Sequence, residues 1–473
     1  MGIYQRICIF VSLYMSGSLV ICDDHRQSVL LPTARGVERL GCEVPKLVAR
    51  DESALDLRGT LFANDKSKGA AWLISLDAKV SMGLQFPLVN GNHESSLSPD
   101  KRFLAIPHYE TTTDYGQGEG GGAPARGVTL LDMKTGIART MTAAENPFGS
   151  PKPHGAAWTD DGDLLVTAQL ANGVVKYSKP LQTSETSGEA MRFDFGAKGC
   201  HTPHLVKTIP NSSLAVSGCR CTNPGEAQPC PGRLVLFDTG SGAAEVLDSG
   251  IGSEGIAVTS AGDVWLGARL DNYVSVFSFG DRPRRVGGYL KRVDTIKVPG
   301  PLRIAYEAVN DVIAVASQDW TGTSKPPPAK PNLYVYNASN RSLPPRTSVV
   351  DSVAYGRINM EGLAAFTFMG AKSAQGFLVS GGFDNQVLVV IDASNSRVIL
   401  EVQLPACTLP FPHYCSPTVQ PNGTEAGLKN MSGANNWSGG YCPATLRDTF
   451  ERRFLCLDGF NWSPIFPEWA LGR

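Results

Sequence analysis

Apolar and polar positions alternate with period two through many short runs, and the runs recur along the chain. Residues 252–280 (GSEGIAVTSAGDVWLGARLDNYVSVFSFG) hold the clearest copy. A polar start leads into an apolar strand, a turn at Ala261-Gly262, a second strand ending at Arg269, Asp271-Asn272 and a third alternating strand. Other copies begin at Gly91, Lys152, Thr202, Pro301 and Met360. Their spacing of about 50 to 60 residues is the size of a four-stranded propeller blade. Most copies carry a further outer strand, as at 128–132, 233–238, 333–337 and 387–392.

Strand residues 60–65 and 71–77 precede the first clear copy, so a first blade is expected from residues around 43–80. A strand borrowed from the other end of the chain would close the ring and remove free sheet edges. The expectation is an all-β, seven-bladed β-propeller over 43–404, with six or eight blades left open. The runs are too short and too rich in Val, Ile, Tyr and Phe for helices. A β-solenoid would need much shorter repeats.

Composition adds a compartment. Residues 7–22 (ICIFVSLYMSGSLVIC) follow Arg6 and precede Asp23-Asp24, which reads as a secretory signal peptide over 1–22; an uncleaved anchor is the rival. No later stretch has the roughly 20 apolar residues of a spanning helix. Eleven cysteines and sequons starting at Asn211, Asn337, Asn340, Asn422, Asn430, Asn436 and Asn461 fit a secreted, glycosylated protein. Residues 405–473 read as a disulfide-rich extension packed on the propeller. Cys407–Cys415 and Cys442–Cys456 are its easiest pairs, and Cys221–Cys230 and Cys200–Cys219 suit the body. The 43 basic and 44 acidic residues nearly cancel, so nothing points to nucleic acid. The expected partners are a small molecule or an extracellular protein, and the expected state is a monomer.

Aligning the copies isolates two rings of polar residues. Five copies separate a leading residue and a second polar position by fifteen residues: His93/His108, His154/Gln169, His204/Cys219, Glu254/Arg269 and Arg303/Gln318. In a sixth copy Glu361 is followed by Gly382. Two strands of about six residues joined by a tight turn return the chain to its starting edge, so both members of a pair should share one rim of the central channel. Insertions at 111–126, 219–231 and 321–331 should rise from the same face, where binding loops usually lie.

The copies resemble the YVTN/YncE-like seven-bladed propellers (quinoprotein amine dehydrogenase-like) and, more distantly, the lactonase-type propellers. The resemblance is carried by PHGAAWTDDG at 153–162, HESSLSPD at 93–100 and EGIAV…RLDNYVSV within 254–276. It covers roughly 60–404 and implies the fold more than an activity. In the lactonase-like families, Glu and Arg at the positions of Glu254 and Arg269, with a channel His and another Arg, resemble the lactone-binding and ring-opening set.

Each candidate has a plain structural alternative. His93, His154 and His204 could bind a divalent metal (Cu, Zn or Ca), or could hydrogen-bond across blade interfaces. Glu254 with Arg269 and Arg303 could polarise a carbonyl or carboxylate with a His as base, or could be an ion pair joining blades. Ligand binding would fall to His93, His108, His154, Gln169, His204, Gln318 and Glu361. The glycine run 116–122 lacks the strand-to-helix setting of a phosphate loop, and Asp160-Asp161-Gly162-Asp163 lacks calcium-loop spacing. Three functions remain: a secreted binder of a small ligand or metal at the channel mouth, a lactonase-like hydrolase, and an extracellular scaffold.

Overall fold

The computed structural model describes residues 8–13, 17–22, 38–39, 45–51, 57, 59–65, 70–76, 81–85, 90–110, 127–136, 138–141, 152–178, 180, 190–220, 231–318, 330–353, 356–358, 360–369, 374–382, 387–404 and 457–463. Most of them are strand, and the described helices are two single turns of 3-10 type, Gln169–Ala171 and Gly196–Lys198. The architecture is an all-β propeller. Among the described residues, seven sheets contain four or five antiparallel strands.

The third sheet shows the unit: Pro153–Trp158, Leu164–Ala168, Gly173–Tyr177 and Ala190–Asp194 in spatial order. The fourth begins at Pro203–Thr208, the fifth at Ser253–Val258 and the sixth at Pro301–Glu307, all with the same order. The leading strand of each packs against the leading strand of the next, so these strands line the axis.

The ends of the chain close the ring, and they do so across the expected boundaries. Leu457–Ser463 pairs with Thr60–Asp65 and becomes the innermost strand of the first sheet. It packs on both Met360–Met369 of the seventh sheet and Ser96–Leu97 of the second. Part of 405–473 therefore lies inside the ring. At the other end, Lys46–Ala49 leaves the first sheet's sequence neighbourhood and adds to the outer edge of Arg397–Gln403. Each sheet edge completed this way gains a ladder of backbone hydrogen bonds that an open arc would lack.

Side-chain alternation puts one face of every sheet against each neighbour. The buried clusters fall accordingly between consecutive sheets. Leu236, Leu266 and Phe277 fill the space between the fourth and fifth sheets, and Trp265, Val315 and Tyr336 that between the fifth and sixth. Close approach near the axis requires glycine. A Cβ on Gly255 would stand 2.6 Å from Ile304 N on the next leading strand. Two asparagines staple successive sheets. Asn172 and Asn272 adopt left-handed backbone, φ 51° and 58°. Their Oδ1 atoms accept from Thr202 N (3.0 Å) and Gly300 N (2.8 Å) of the following unit.

Cys200 and Cys219 form a disulfide with a Cα separation of 5.4 Å. The other proposed pairs lie outside the described residues. The sequon Asn461 sits buried in the closing strand, accepting from Leu97 N (3.1 Å) and donating to Ser95 Oγ (2.8 Å). A glycan there would have to displace the contact that ties the closing strand to the second sheet. Near the start of the sequence, Cys8–Leu13 and Gly17–Cys22 form an antiparallel hairpin paired to no other described strand. No described helix is long and apolar enough to cross a membrane.

The N-terminal closure is held by a buried carboxylate. Glu401 has a fully buried side chain and accepts from Arg50 (3.0 Å), Ser352 Oγ (2.7 Å), Val353 N (2.8 Å) and Gln403 Nε2 (2.8 Å). Burial alone would raise its pKa, but these donors hold it below the ordinary carboxylate value. Its stabilisation is therefore complete above about pH 4.5 and fades as pH falls through the lower folded value. Arg50→Ala should cost about 1.5–3 kcal/mol, read as a lower urea midpoint at pH 7. An unchanged midpoint would mean the strap carries no load.

Candidate functional site

The leading residues converge on one opening and are all buried: His93, His154, His204, Glu254 and Arg303. The first three stack in turn. Ring centroids are 3.5 Å apart for His93–His154 and 3.8 Å for His154–His204. Among the described residues, no group of three or more His, Cys, Asp or Glu side chains is arranged to hold a metal ion. The three rings expected as a metal set, His93, His154 and His204, lie against one another at tilts of 41° and 51°. Glu361 lies in the leading strand of the seventh sheet, with its side chain outside the described ones.

Glu254 is the centre of the charged half. Arg220 clasps it through both Nε (3.0 Å) and Nη2. Arg269 Nη1 lies 3.5 Å from Oε1, and Arg303 Nη1 lies 3.7 Å from Oε2. Desolvation would raise the pKa of this carboxyl, yet Arg220, His204, Arg269 and Arg303 together pull it down to about 2. Glu254 is thus a permanent anion at neutral pH.

His204 answers it as a neutral ring. Its Nδ1 faces the Glu254 carbonyl at 3.1 Å and Oε2 at 3.5 Å. Burial first, then Arg220 and Arg303, push its pKa well below the usual imidazole value. A neutral ring beside a carbonyl oxygen carries its proton on Nδ1. His93 holds the opposite tautomer at this nitrogen, because its Nδ1 accepts from Glu94 N at 3.0 Å.

The second ring needs two corrections, both traceable to turn length. Gln169, Arg269 and Gln318 occupy equivalent places, each with its backbone N–H donating to a residue just ahead of the leading strand: Lys152, Gly252 and Gly300. In the fourth sheet this bond comes from Arg220, which donates to Thr202 O. Cys219 instead pairs in register with Pro203, as Ala168 does with Pro153 and Ala268 with Ser253. The same holds for His108, which pairs with Asn92. The reason is one extra residue in each turn. Ile209 bonds across to Leu214 and Ser98 to Phe103, whereas Thr159 bonds to Asp163 and Thr259 to Asp263.

The shift changes chemistry. Cys219 goes into the disulfide, while its neighbour Arg220 reaches the opening. His108 is buried one step short of the rim, where desolvation lowers its pKa to about 3 and Nε2 finds no hydrogen-bond partner. A histidine so placed stays neutral and packs with the sheet core. The rim member Gln318 accepts from Arg269 and donates to Met360 O, both at 3.4 Å.

Sequence reasoning missed Arg220 and Glu94. Arg220 was within reach through the longer Pro210-Asn211-Ser212-Ser213 turn. Glu94 was masked by its neighbour His93. Its Oε1 lies 2.7 Å from Arg303 Nε. Among the described side chains the cluster brings together three guanidiniums and two carboxylates, with His204 neutral. Of the insertions 111–126, 219–231 and 321–331, residues 111–126, 221–230 and 321–329 lie outside the described residues.

No protein-family model matches this chain, and no curated protein matches it. Solved structures of similar shape are propellers at low identity. A streptogramin B lyase structure is 12% identical, covers 73% of this chain and 88% of its own, and superposes with a TM-score of 0.47. Virginiamycin B lyase from Staphylococcus aureus is 14% identical over 76% of this chain and 99% of its own, with a TM-score of 0.45. The β-propeller domain of Myceliophteria thermophila Cps50 (Swd1) is 12% identical over 66% and 86%, with a TM-score of 0.43. Likeness at this level carries no reading of activity.

Removing Arg220 should expose what holds Glu254 ionised. Because its folded pKa lies below the ordinary value, Glu254 stabilises the protein above about pH 4.5 and loses that contribution as pH falls toward about 2. Arg220→Ala should raise the pH of half-unfolding in an acid titration by about one unit. No shift would show that Arg269 and Arg303 suffice.

Proposed function

We propose that the protein binds a small polar molecule at the mouth of its central channel through the His/Glu/Arg ring. The observation that supports this is the convergence of buried ionisable groups from five sheets on one opening, with three guanidiniums and two carboxylates among the described side chains. Arg269 is the most accessible of the three guanidiniums, so it is the one that a ligand entering the mouth would meet first. No metal is assigned.

The protein is read as secreted, with residues 1–22 removed and sequons other than Asn461 open to glycosylation. The propeller spans 43–404 and is completed by the closing strand from the extension 405–473. Calorimetry and thermal shift on the full chain, against small organic acids, neutral sugars and divalent metals, test the binding reading. A ligand should raise the melting temperature, and Arg269→Gln should weaken it about tenfold, or 1.4 kcal/mol. The reading fails if nothing in the panel binds.

A lactonase-like hydrolase using Glu254, Arg269, Arg303 and His204 is the second reading. It is favoured by one contact, His204 Nδ1 on Glu254, which orients a neutral imidazole as a general base would be oriented. Hydrolysis of a lactone panel that disappears in folded Glu254→Gln would support it, and no turnover by wild type would remove it.

A further inference from the structure

The contact between Glu94 and Arg303 is unlike the others in the cluster. Glu254 meets Arg303 of the next sheet and Arg220 of the previous one, which are ordinary neighbour contacts around a ring. Glu94 belongs to the second sheet and Arg303 to the sixth. Those sheets are separated by the third, fourth and fifth on one side and by the seventh and first on the other. Their 2.7 Å approach therefore spans the opening itself.

The delivery of Glu94 is also distinctive. Residues 93–95 form no strand, between Asn90–Asn92 and Ser96–Leu97. Glu94 reaches across from a stretch tied to the adjacent strand by His93 N on Pro107 O (2.9 Å), whereas Glu254 and Arg303 are built into leading strands. Its side chain keeps 16% of its exposure, against 6% for Arg303. Although Oε1 is close to Arg303 Nε, it accepts no aligned hydrogen bond. A close but misaligned pair yields less than a bidentate one. Lys207, on the fourth sheet's leading strand, lies in the field of the same carboxylate without an ion-pair contact to it among the described residues. Glu94 thus lies among cations contributed by two other sheets, held by charge more than by geometry.

We infer that Glu94 occupies the place of the ligand's own carboxylate, and that the site takes small organic acids that displace it from Arg303. This rests on the binding reading above and narrows it from polar molecules to carboxylates. The ligand's acid group would form the aligned charge-assisted bonds that Glu94 does not, and the released Glu94 would turn to solvent at the mouth. Glu94 then acts as a built-in competitor that sets the affinity.

The test is calorimetric titration of the full chain with acetate, succinate and glucuronate, beside acetamide, succinamide and glucose as neutral counterparts. Wild type should bind acids in preference to their counterparts. Glu94→Gln should tighten acid binding about tenfold, which is 1.4 kcal/mol, and Lys207→Met should weaken it. Glu94→Asp keeps the charge but withdraws it by one methylene, and should give an intermediate gain if Glu94→Gln does not fold. Unchanged acid affinity in both Glu94 variants would overturn the inference, as would counterparts that bind as well as the acids. In that second case ligand binding sensitive to Arg269→Gln would leave the broader reading standing. An absence of binding by every probe and every variant would remove both.

Discussion

A propeller depends on closing its ring, because an open arc of sheets would leave an apolar sheet face and a bare strand edge at each end. In this chain closure draws on both termini. Leu457–Ser463 fills the innermost place of the first sheet, and Lys46–Ala49 takes the outermost place of the seventh. The two joints are secured differently. The inner one is clamped by Asn461, whose amide group bonds Leu97 and Ser95 of the second sheet. The outer one is locked by Arg50 on the buried Glu401.

Closure and site share residues. Asn461 grips the chain next to His93 and Glu94, so the strand that seals the ring also supports the segment that crosses the opening. Asn64, in the strand paired with the closing one, donates to His93 O at 2.6 Å. Nothing comparable supports Glu94 beyond its own amide on His93 Nδ1. The mouth therefore combines rigid walls with one carboxylate on irregular backbone.

The electrostatics follow from sequestering charge near the axis. A carboxylate as buried as Glu254 persists only because three guanidiniums surround it, while burial, helped by Arg220 and Arg303, keeps His204 neutral. His93, His154 and His204 stand side by side with ring centroids 3.5 and 3.8 Å apart, so two adjacent imidazoliums there would repel in a poorly screened setting.

Much of this was legible in the amino-acid sequence. Period-two runs identified strands because burial of one face imposes alternation, and copies at regular intervals identified blades because each sheet must repeat the same packing. His93, His154, His204, Glu254 and Arg303 were recognised as one set for that reason. The partner ring was read with a fixed interval, and it failed where a turn grew by one residue, exchanging Cys219 for Arg220 and moving His108 into the core. Counting along the chain cannot register such a slip, because the backbone ladder decides which residue ends at the rim. The sequence by itself determined the strands, the repeat and the leading residues, all of which follow from local periodicity. Only tertiary structure decided the closing strands, the clasp of Arg220 on Glu254 and the reach of Glu94 to Arg303, because each joins residues whose proximity exists only once the ring has closed.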